Sequence, residues 1–348
     1  MNKVIDTAIL CYNAPASVYD NYSGKPKRVK GIPDDISETA LLSEIDNVAA
    51  ALGKAFSKVE IVPITKNIFV NVSLLKKIPN AFAFNLVESV EGVAEYEVYH
   101  AGLYDLLKIS YTGNKPQCLG NCLNKMRAKQ ILSAHSVPVP RAIIIESISS
   151  IGTAEPLSYP LITKLLKEDA SIGISERSVV RNKTELLAQL EFLFTTYRQT
   201  VIVEEFIEGR EFNIGILGGV PLPISEIVFE GLPDTLPRIV TYEGKWMLES
   251  LYYKCTVPVC PALISDDLSI QLQNIAISAY QALDCRDYAR IDTRVDSSGT
   301  PYVIEVNPNP DISSDAGFIR AASKAGFSYD ALIEKIAGFA VERSYQAA

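Results

Sequence analysis

The chain has 348 residues, with 41 acidic side chains against 33 basic ones and a formal net charge of -8. Proteins that bind nucleic acid draw most of their affinity from clusters of Lys and Arg, so this acidic balance argues against a nucleic-acid partner. Apolar residues make up 48% of the chain, which is enough to fill substantial cores, and the length predicts two or three domains. No apolar run approaches the ~18 residues of a membrane span, and residues 1–12 lack the pattern of a signal peptide. We therefore expect a cytoplasmic protein with no membrane partner.

Six cysteines and two histidines limit the chemistry that is available. No two cysteines have the C-x-x-C spacing of a zinc knuckle or redox pair, so we expect reduced thiols. Cys118 and Cys122 lie one helical turn apart and offer two metal ligands, but two thiols without further ligands more often pack in a core. His100 and His135 are interpreted as structural residues. Catalysis must then rely on carboxylates, amines, guanidinium groups or a bound ion.

The first third of the chain alternates strands and helices. Apolar residues in positions 4–11 predict a strand, and apolar residues spaced by three and four positions between Leu41 and Leu52 predict a helix that ends at Gly53. Buried strands are predicted at 58–63 and 81–86. A second helical stripe follows, with the inward residues Tyr96, Tyr99, Leu103 and Leu106. The strand, helix, strand order predicts a parallel, Rossmann-like domain over residues 1–115.

A smaller unit is predicted over residues 116–204. It opens with a helix through Lys125 and Lys129, and two strands at 141–145 and 161–165 follow a proline-rich break. The next helix is predicted to bury four residues: Leu187, Leu190, Phe194 and Tyr197. A strand at 200–204 would close this unit.

The last unit is predicted over residues 205–348. Strands are expected at 211–217 and 223–229, and a helix is expected from about residue 266 to residue 283. Two further strands, 288–295 and 302–306, are joined by an Asp-Ser-Ser-Gly turn. These patterns together predict an α+β protein of three domains.

The strongest group of chemically active residues lies on this last hairpin. Side chains alternate faces along a strand, so Arg290 and Asp292 share one face, and Glu305 and Asn307 likewise share one. Two carboxylates and an amide suit a hard cation such as Mg²⁺, which completes its shell with water and substrate phosphates. Arg290 beside them would stabilise a developing anion. The alternative interpretation is a salt-bridged, solvent-exposed sheet face.

A loop at residues 167–173 follows the strand that carries Lys164. Small residues allow a loop to turn its backbone N–H groups toward phosphate, and a lysine at a strand end neutralises phosphate charge. The loop matches neither G-x-x-x-x-G-K-[ST] nor G-x-G-x-x-G, so an ordinary hairpin loop is the alternative.

A linker at residues 203–211 joins the second and third units and flanks apolar residues with acids. Such a linker would sandwich a flat base, with backbone groups at its edge and a carboxylate on ribose hydroxyls. An edge strand with no ligand is the alternative.

In order along the chain, these features resemble the ATP-grasp superfamily and, within it, the D-alanine:D-alanine ligase family. The matching stretches cover nearly the whole chain: 84–88, 111–113, 124–125, 159–164, 170–173, 204–211, 242–246, 290–292 and 305–307. The resemblance implies a three-domain ATP-grasp fold with a Rossmann-like N-terminal domain, a small central subdomain and a larger C-terminal α+β domain. It also implies an ATP cleft between the second and third units.

The resemblance implies a role for each matching residue. Phosphate contacts fall to Lys125, Lys164 and Lys245, and the loop with Glu168, Ser171 and Gly173 would cover the phosphates. The adenine and ribose contacts fall to the linker residues Glu204, Glu205, Phe206, Ile207 and Glu211. Asp292, Glu305 and Asn307 would hold two Mg²⁺ ions, with Mn²⁺ as the alternative, and Arg290 would stabilise the reacting carboxylate.

The function implied is an ATP-dependent carboxylate–amine ligase that forms an amide or peptide bond through an acyl phosphate and releases ADP and phosphate. Its substrates would be small amino acids or similar molecules, with D-alanine as the default, and a homodimer is expected. ATP activates the acid, so the protein needs only positioning, metal ions and positive charge. The alternatives are an ATP-grasp ligase of specialised metabolism that acts on a larger carboxylate, and a catalytically silent ATP-binding module.

Departures from the family pattern concern the substrate. Ala170 replaces a loop serine, Trp246 replaces a tyrosine in a loop expected to be mobile, and Asp311 follows an Asn-Pro-Asn-Pro sequence where the family has a glycine. The family serine that binds the substrate carboxylate falls at or near Ala316. Glu38 is expected either to bind a substrate ammonium group or, with the preceding serine, to cap the first helix.

Overall fold

Three strands near the N-terminus form the first sheet. The computed structural model describes residues 5–14, 36–148 and 157–346, with side chains in the first helix described from residue 44 onward. Strands β1 (Thr7–Asn13), β2 (Lys58–Ile64) and β3 (Ala81–Leu86) pair in parallel in the order β2-β1-β3. Helix α1 (Ile36–Ala55) connects β1 to β2, and helix α2 (Ile68–Lys76) connects β2 to β3. Helix α3 (Tyr96–Leu107) follows β3. Parallel strands need crossover helices, so this layer has the predicted Rossmann-like arrangement.

Two details of these helices differ from the sequence prediction. Helix α1 continues through Gly53 to Ala55, and Gly53 does not adopt the positive φ of a left-handed helix terminus. In α3, three of the four residues predicted to face inward, Tyr96, Tyr99 and Leu106, are exposed. His100 and Tyr104 are buried instead. Several apolar and aromatic residues lie on each side of α3, so their spacing allows two faces, and packing on the sheet selects the other one.

Two short helices come next, where a single helix is predicted from the sequence. Helix α4 (Pro116–Leu123) has proline in its first turn, and α5 (Lys125–Ala134) begins after Asn124, whose side chain accepts a hydrogen bond from the Arg127 N–H. Proline at the helix start and asparagine at the cap position both favour helix initiation. Both helices share their apolar core with the C-terminal sheet.

The central sheet is antiparallel. It contains β4 (Ala142–Ile145), β5 (Leu161–Leu165), β6 (Val179–Val180) and β7 (Val201–Glu205) in the order β4-β7-β5-β6. A 3-10 turn at Glu176–Ser178 precedes β6, and helix α6 (Lys183–Tyr197) covers one face of the sheet. Helix α6 buries Leu190 as predicted, but Leu187 is exposed and the neighbouring Leu186 is buried.

The C-terminal sheet carries the hairpin singled out above. Its strands are β8 (Arg210–Leu217), β9 (Val220–Pro221), β10 (Ser225–Phe229), β11 (Thr256–Val259), β12 (Tyr288–Val295) and β13 (Pro301–Asn307). Their order is β11-β10-β8-β12-β13, and β9 pairs with β8. The helices of this part are α7 (Tyr242–Trp246), α8 (Leu251–Cys255), α9 (Asp266–Ala282), α10 (Gly317–Lys324) and α11 (Tyr329–Gln346).

Packing between these layers places the candidate site. Helices α10 and α11 share a core with α1 and the first sheet, which brings the end of the C-terminal sheet against the N-terminal layer. The α+β class is confirmed, while the predicted domain boundaries at residues 115 and 204 stay predictions. Within the described ranges, no helix is long and apolar enough to cross a membrane.

Candidate active site

The hairpin of β12 and β13 brings the predicted metal ligands together. In the antiparallel register, Arg290 lies opposite Asn307 and Asp292 lies opposite Glu305. Opposed side chains on an antiparallel pair point to the same face, with Cβ atoms about 5 Å apart. The four residues therefore form one polar patch, as the alternating pattern predicts.

Asp292 is the centre of this patch and is 7% exposed. Its carboxylate accepts two hydrogen bonds from Arg290, at 2.7 Å from Nε and 2.8 Å from Nη2. The amide groups of Asn213 and Asn307 donate to it at 2.7 and 2.9 Å. A carboxylate held by this many donors is fixed in orientation, and the side-chain oxygen of Asn307 is turned away from the bond that its nitrogen makes. Asp292 is buried and Arg290, Glu305 and Asn307 are partly buried, so the patch is not the fully exposed sheet face of the alternative interpretation, although it contains a salt bridge.

Glu305 faces the basic side of the site. The Lys125 ammonium lies 3.1 Å from its Oε1 and 3.2 Å from Asp169 Oδ1. Burial by itself would raise the pKa of Glu305, but Lys125, Lys164 and Arg290 together lower this pKa to about 2. Glu305 is therefore ionised at neutral pH, as a ligand of a hard cation must be.

A second buried ionic group lies on the central sheet. Glu204, 1% exposed, is 3.1 Å from the Lys164 ammonium and 3.3 Å from that of Lys129. Burial lowers the pKa of Lys129, and Glu204 only partly opposes this effect, whereas the two lysines lower the pKa of Glu204 in spite of its burial. Lys129 Nζ and Glu204 Oε1 are both buried without a hydrogen-bond partner among the described residues.

The predicted phosphate loop crosses the opening of this site. Ala170, Ser171 and Gly173 all have positive φ values, of 54°, 61° and 78°. Residues other than glycine rarely adopt this conformation, and such strain concentrates at functional loops. Two contacts hold the loop: the Trp246 indole N–H donates to the Ala170 carbonyl at 3.2 Å, and the Ser171 hydroxyl donates to the Val240 carbonyl at 3.2 Å.

Glu168 supports the same loop through two bonds. Its carbonyl accepts from the Lys125 ammonium, and its carboxylate accepts from the Gln199 amide at 2.6 Å. Lys125 therefore contacts both the loop and the metal patch. This lysine, the first residue of α5, therefore fixes the position of the loop relative to Glu305.

The linker between the sheets presents an apolar surface beside these charges. The Glu205 and Phe206 N–H groups are already bound to the Arg141 and Pro160 carbonyls at 2.9 Å each. The Ile207 carbonyl accepts from Arg294 Nε at 2.7 Å. The linker is thus fixed at each of these residues.

Glu211, at the other end of the linker, is buried. Its Oε2 accepts a hydrogen bond from Arg294 Nη1 at 2.6 Å. Burial raises the pKa of Glu211, and Arg294 opposes the rise. The Arg294 guanidinium also lies 4.8 Å from the centre of the Phe206 ring. Arg294 therefore connects the residues predicted to hold the base with the one predicted to hold the ribose.

Lys245 extends from α7 on the opposite side of the opening. Its ammonium lies 5.3 Å from the centre of the Trp246 ring. Desolvation lowers the pKa of Lys245, and the positive charge of Arg290 lowers it further. The sequence predicts a mobile loop at this position; the segment forms a short helix capped by the Thr241 side chain, and its mobility stays a prediction.

A cleft lies between the N-terminal layer and the C-terminal sheet, lined on one side by residues 309–313, which follow Asn307 of the patch. Asp311 lines it together with two acids that the sequence did not single out as site residues, Glu44 and Glu88. The Asp311 carboxylate accepts from the N–H and the hydroxyl of Ser313, at 2.8 and 2.6 Å. Trp246 is not among the residues that line the cleft. Glu38 lies in α1, and its side chain falls outside the described part of the structure.

Comparison with known proteins decides the family. A family described as "D-ala D-ala ligase C-terminus" matches residues 143–337, more than half of the chain. The chain belongs to the D-alanine–D-alanine ligase family.

Several relatives support this assignment. A D-alanine–D-alanine ligase of Nitrosospira multiformis is 32% identical over 69% of this chain and 74% of its own length. Another, of Syntrophotalea carbinolica, is 32% identical over 68% of this chain and 72% of its own. An uncharacterized protein, y4sG, of Sinorhizobium fredii is 31% identical over 76% of each chain.

Solved structures of the family confirm the predicted ATP-grasp fold. The D-alanine–D-alanine ligase of Bacillus anthracis complexed with ATP superposes with a TM-score of 0.70 at 22% identity, covering 98% of this chain and 99% of that one. A second structure of the same enzyme gives a TM-score of 0.71.

The residues of this family member fit a nucleotide and a magnesium ion. The Lys129 ammonium and Glu204 Oε1 form an ion pair at 3.3 Å without a hydrogen bond, so the ammonium keeps donors for a phosphate oxygen and the carboxylate keeps acceptor capacity for an amino group of a base. The carboxylates of Asp292 and Glu305 and the amide of Asn307 form an all-oxygen ligand set without thiol or imidazole, as Mg²⁺ prefers.

Sequence reasoning missed some residues of the site. Lys129 follows Lys125 by four positions, a spacing that places both on one face of α5 and was a usable signal. Arg294 follows Arg290 by four positions on a strand and so shares its face, another usable signal. Asn213, Glu44 and Glu88 gave no such signal, because strand pairing and interlayer packing alone bring them to the site.

Proposed function

We propose that this protein joins a carboxylate to an amine, with ATP converting the acid to an acyl phosphate that the amine attacks, and that ADP and phosphate are released. The observation that carries the proposal is the convergence of two ionic groups. Lys125 contacts Glu305 of the Asp292–Glu305–Asn307 patch at 3.1 Å. Lys129 and Lys164 flank Glu204 on the central sheet, and the charge of Lys164 also acts on Glu305. Family membership supports the same activity.

Each group has a role that its surroundings favour. Lys125 and Lys164, with Lys129, would neutralise phosphate charge, and the strained loop at Ala170 and Ser171 would exclude water above it. Lys245, with its lowered pKa, and Arg290, held by Asp292, would stabilise the negative charge that develops on the reacting carboxylate. Asp292, Glu305 and Asn307 would hold two Mg²⁺ ions, or Mn²⁺ in their place, which would supply positive charge to neutralise the phosphates.

The nucleotide base would lie on the linker. Glu204, Glu205, Phe206 and Ile207 provide an acidic edge and an apolar surface, and Glu211 would accept ribose hydroxyls. Glu168, Ser171 and Gly173 would cover the phosphates as part of the loop. These assignments rest on the family pattern together with the positions of the side chains.

The cleft beside the patch supports small substrates that carry an ammonium group. Relatives named D-alanine–D-alanine ligases favour amino acids as the occupants of this cleft over the larger carboxylate of the alternative hypothesis. Glu44, Glu88 and Asp311 on its walls favour a cation. D-alanine remains the default substrate, and Glu38 would add a further acid near its ammonium group.

The complete set of charged residues argues against a catalytically silent module. Asp292, Glu305 and Asn307 are all present and share one face, and Arg290 is bound to Asp292 through two hydrogen bonds. We also propose that the protein acts in the cytoplasm. We further propose that it forms a homodimer, and light scattering of the purified protein would test this oligomeric state.

Turnover with amino acids tests the proposed function. Purified protein, ATP and Mg²⁺ are mixed with D-alanine and then with pairs from an amino-acid library, and ADP release is followed. We expect release that depends on the added pair, and a Glu305→Gln variant that loses at least about 100-fold in kcat. Glu334→Gln, on the exposed face of α11, is the matched control and should retain activity. Absence of pair-dependent ADP release across the library would refute a dipeptide-forming ligase.

A further inference from the structure

Three of the six cysteines form a cluster away from the candidate active site. Cys118 and Cys122 lie one turn apart on α4, and Cys285 lies in the connection between α9 and β12. The Cys118 sulfur is 4.0 Å from that of Cys122 and 3.5 Å from that of Cys285, and all three sulfurs lie within 4.8 Å of one another. Sequence reasoning identified only the first two thiols, because the third is 167 positions from Cys118.

The cluster is buried in an apolar environment. Cys118, Cys122 and Cys285 are 0%, 6% and 8% exposed and belong to the core shared by α4, α5, α9 and the C-terminal sheet. Two of these thiols could be explained by packing alone, as cysteine often behaves as a small apolar residue. Three sulfurs turned toward one point are also a set of soft ligands.

The spacing of the sulfurs fits a single ion. Sides of 3.5 and 4.0 Å and a third side of at most 4.8 Å define a triangle. The point equidistant from its corners lies ~2.2–2.4 Å from each sulfur, which matches the ~2.3 Å of a Zn–thiolate bond. We propose that Cys118, Cys122 and Cys285 bind one thiophilic divalent cation of the zinc and cadmium class.

Charge favours a divalent ion. Binding requires the three thiols to release their protons to solvent, so a divalent ion leaves one net negative charge in the core and a monovalent ion leaves two. The free-energy cost of burying a complex in the core rises steeply with its net charge. The divalent complex, with one net negative charge, is therefore favoured over the monovalent complex, with two.

The ion would join two segments that position the active site. Helix α4 leads through Asn124 into α5, whose first residue is Lys125. The residues before α4 are already attached to the same connection: the Gly113 N–H donates to Asp287 at 2.9 Å, and the Asn114 amide donates to the Tyr288 carbonyl at 3.0 Å. A bound ion would add a further link, so it stabilises the position of Lys125 without contacting substrate.

Spectroscopic titration tests this site without any measurement of ligase activity. Reduced, metal-free protein is titrated with Cd²⁺ in the absence of oxygen, and the ultraviolet absorption of cadmium–thiolate charge transfer is recorded. We expect saturation at one ion per chain, displacement of bound Zn²⁺ by Cd²⁺, and a rise in Tm on binding. Cys285→Ser should weaken binding about 100-fold or more, because one of three thiolate bonds is lost.

The matched control is Cys260→Ser, which removes a half-buried thiol outside the cluster and should bind Cd²⁺ like the unaltered protein. X-ray absorption of the zinc-loaded unaltered protein gives a second measurement that depends on no variant, and we expect three sulfur neighbours at ~2.3 Å. Absence of the charge-transfer band, coordination by nitrogen and oxygen alone, equal weakening in both variants, or a Cys118–Cys285 disulfide with no uptake of ion would each overturn the proposal.

Discussion

The buried Glu204 carboxylate offers a sharp test of how the site is stabilised. It lies between two ammonium groups, 3.1 Å from Lys164 and 3.3 Å from Lys129, and is itself 1% exposed. Glu204→Gln keeps the shape of the side chain and removes its charge. The two lysines then lose their shared counter-ion while remaining in the same buried pocket.

The expected loss of stability has an upper limit that follows from proton binding. Removing one partner of a buried ion pair costs about 3–5 kcal/mol because the other charge is left uncompensated. Lys129 can escape this cost by releasing its proton, which from its usual pKa of 10.5 requires ~4.8 kcal/mol at pH 7 and ~2.0 kcal/mol at pH 9. We expect a loss of about 3–5 kcal/mol at pH 7 and a smaller loss at pH 9.

The sign of the pH dependence follows from the direction of the pKa shift. The pKa of Lys129 is already lowered by burial, and loss of Glu204 lowers it further. Between this lowered pKa and 10.5 the unfolded chain binds more protons than the folded one, so stability of the variant, relative to the unaltered protein, rises with pH. Urea-induced unfolding followed by circular dichroism at pH 7, 8 and 9 measures this difference.

Glu208→Gln is the matched control, because Glu208 lies on the same linker and is exposed. It should change the free energy of unfolding by no more than about 0.5 kcal/mol. If Glu204→Gln were as stable as this control at pH 7, or if the difference did not shrink as pH rises, the ionic interpretation of the pocket would be wrong.

Three further predictions concern other parts of the chain. Asp169→Asn should lower the Kd for ATP two- to fivefold by calorimetry, because phosphate then meets a Lys125 ammonium with one fewer competing carboxylate; a weaker Kd would contradict this role. Gly113→Ala should destabilise the fold by about 1–3 kcal/mol in urea unfolding, since φ is +83° and the new methyl group would lie 2.6 Å from Asn309 Oδ1; unchanged stability would show that the turn adapts. Burial lowers the pKa of His100 from 6.5 to about 4, so the unfolded chain binds the extra proton first and stability falls between pH 6.5 and pH 4; His100→Gln should lose this part of the acid dependence in unfolding curves, and an unchanged slope would refute the assignment.

Local patterns are sufficient for much of the C-terminal sheet. The Asp-Ser-Ser-Gly turn and the alternation of side chains pair Arg290 with Asp292 and Glu305 with Asn307, and the register of β12 and β13 then opposes the two pairs. Such a prediction succeeds because a hairpin is local, and its turn sets its register. Faces of amphipathic helices are harder to predict: in α3 the apolar spacing assigns Tyr99 to the core, yet Tyr99 is exposed, because the sheet beneath the helix decides which face is covered.

By itself, the sequence determined the α+β class, the family and the residues on single strands and loops that carry charge. Tertiary structure decided which distant groups meet: Cys285 with the two thiols of α4, Lys129 and Lys164 with Glu204, and the acids Glu44 and Glu88 around one cleft. The physical reason is range. Periodicity and turn chemistry act over a few residues, whereas these contacts arise when apolar faces of separate layers pack, and that packing has no signature in the spacing of the residues it joins.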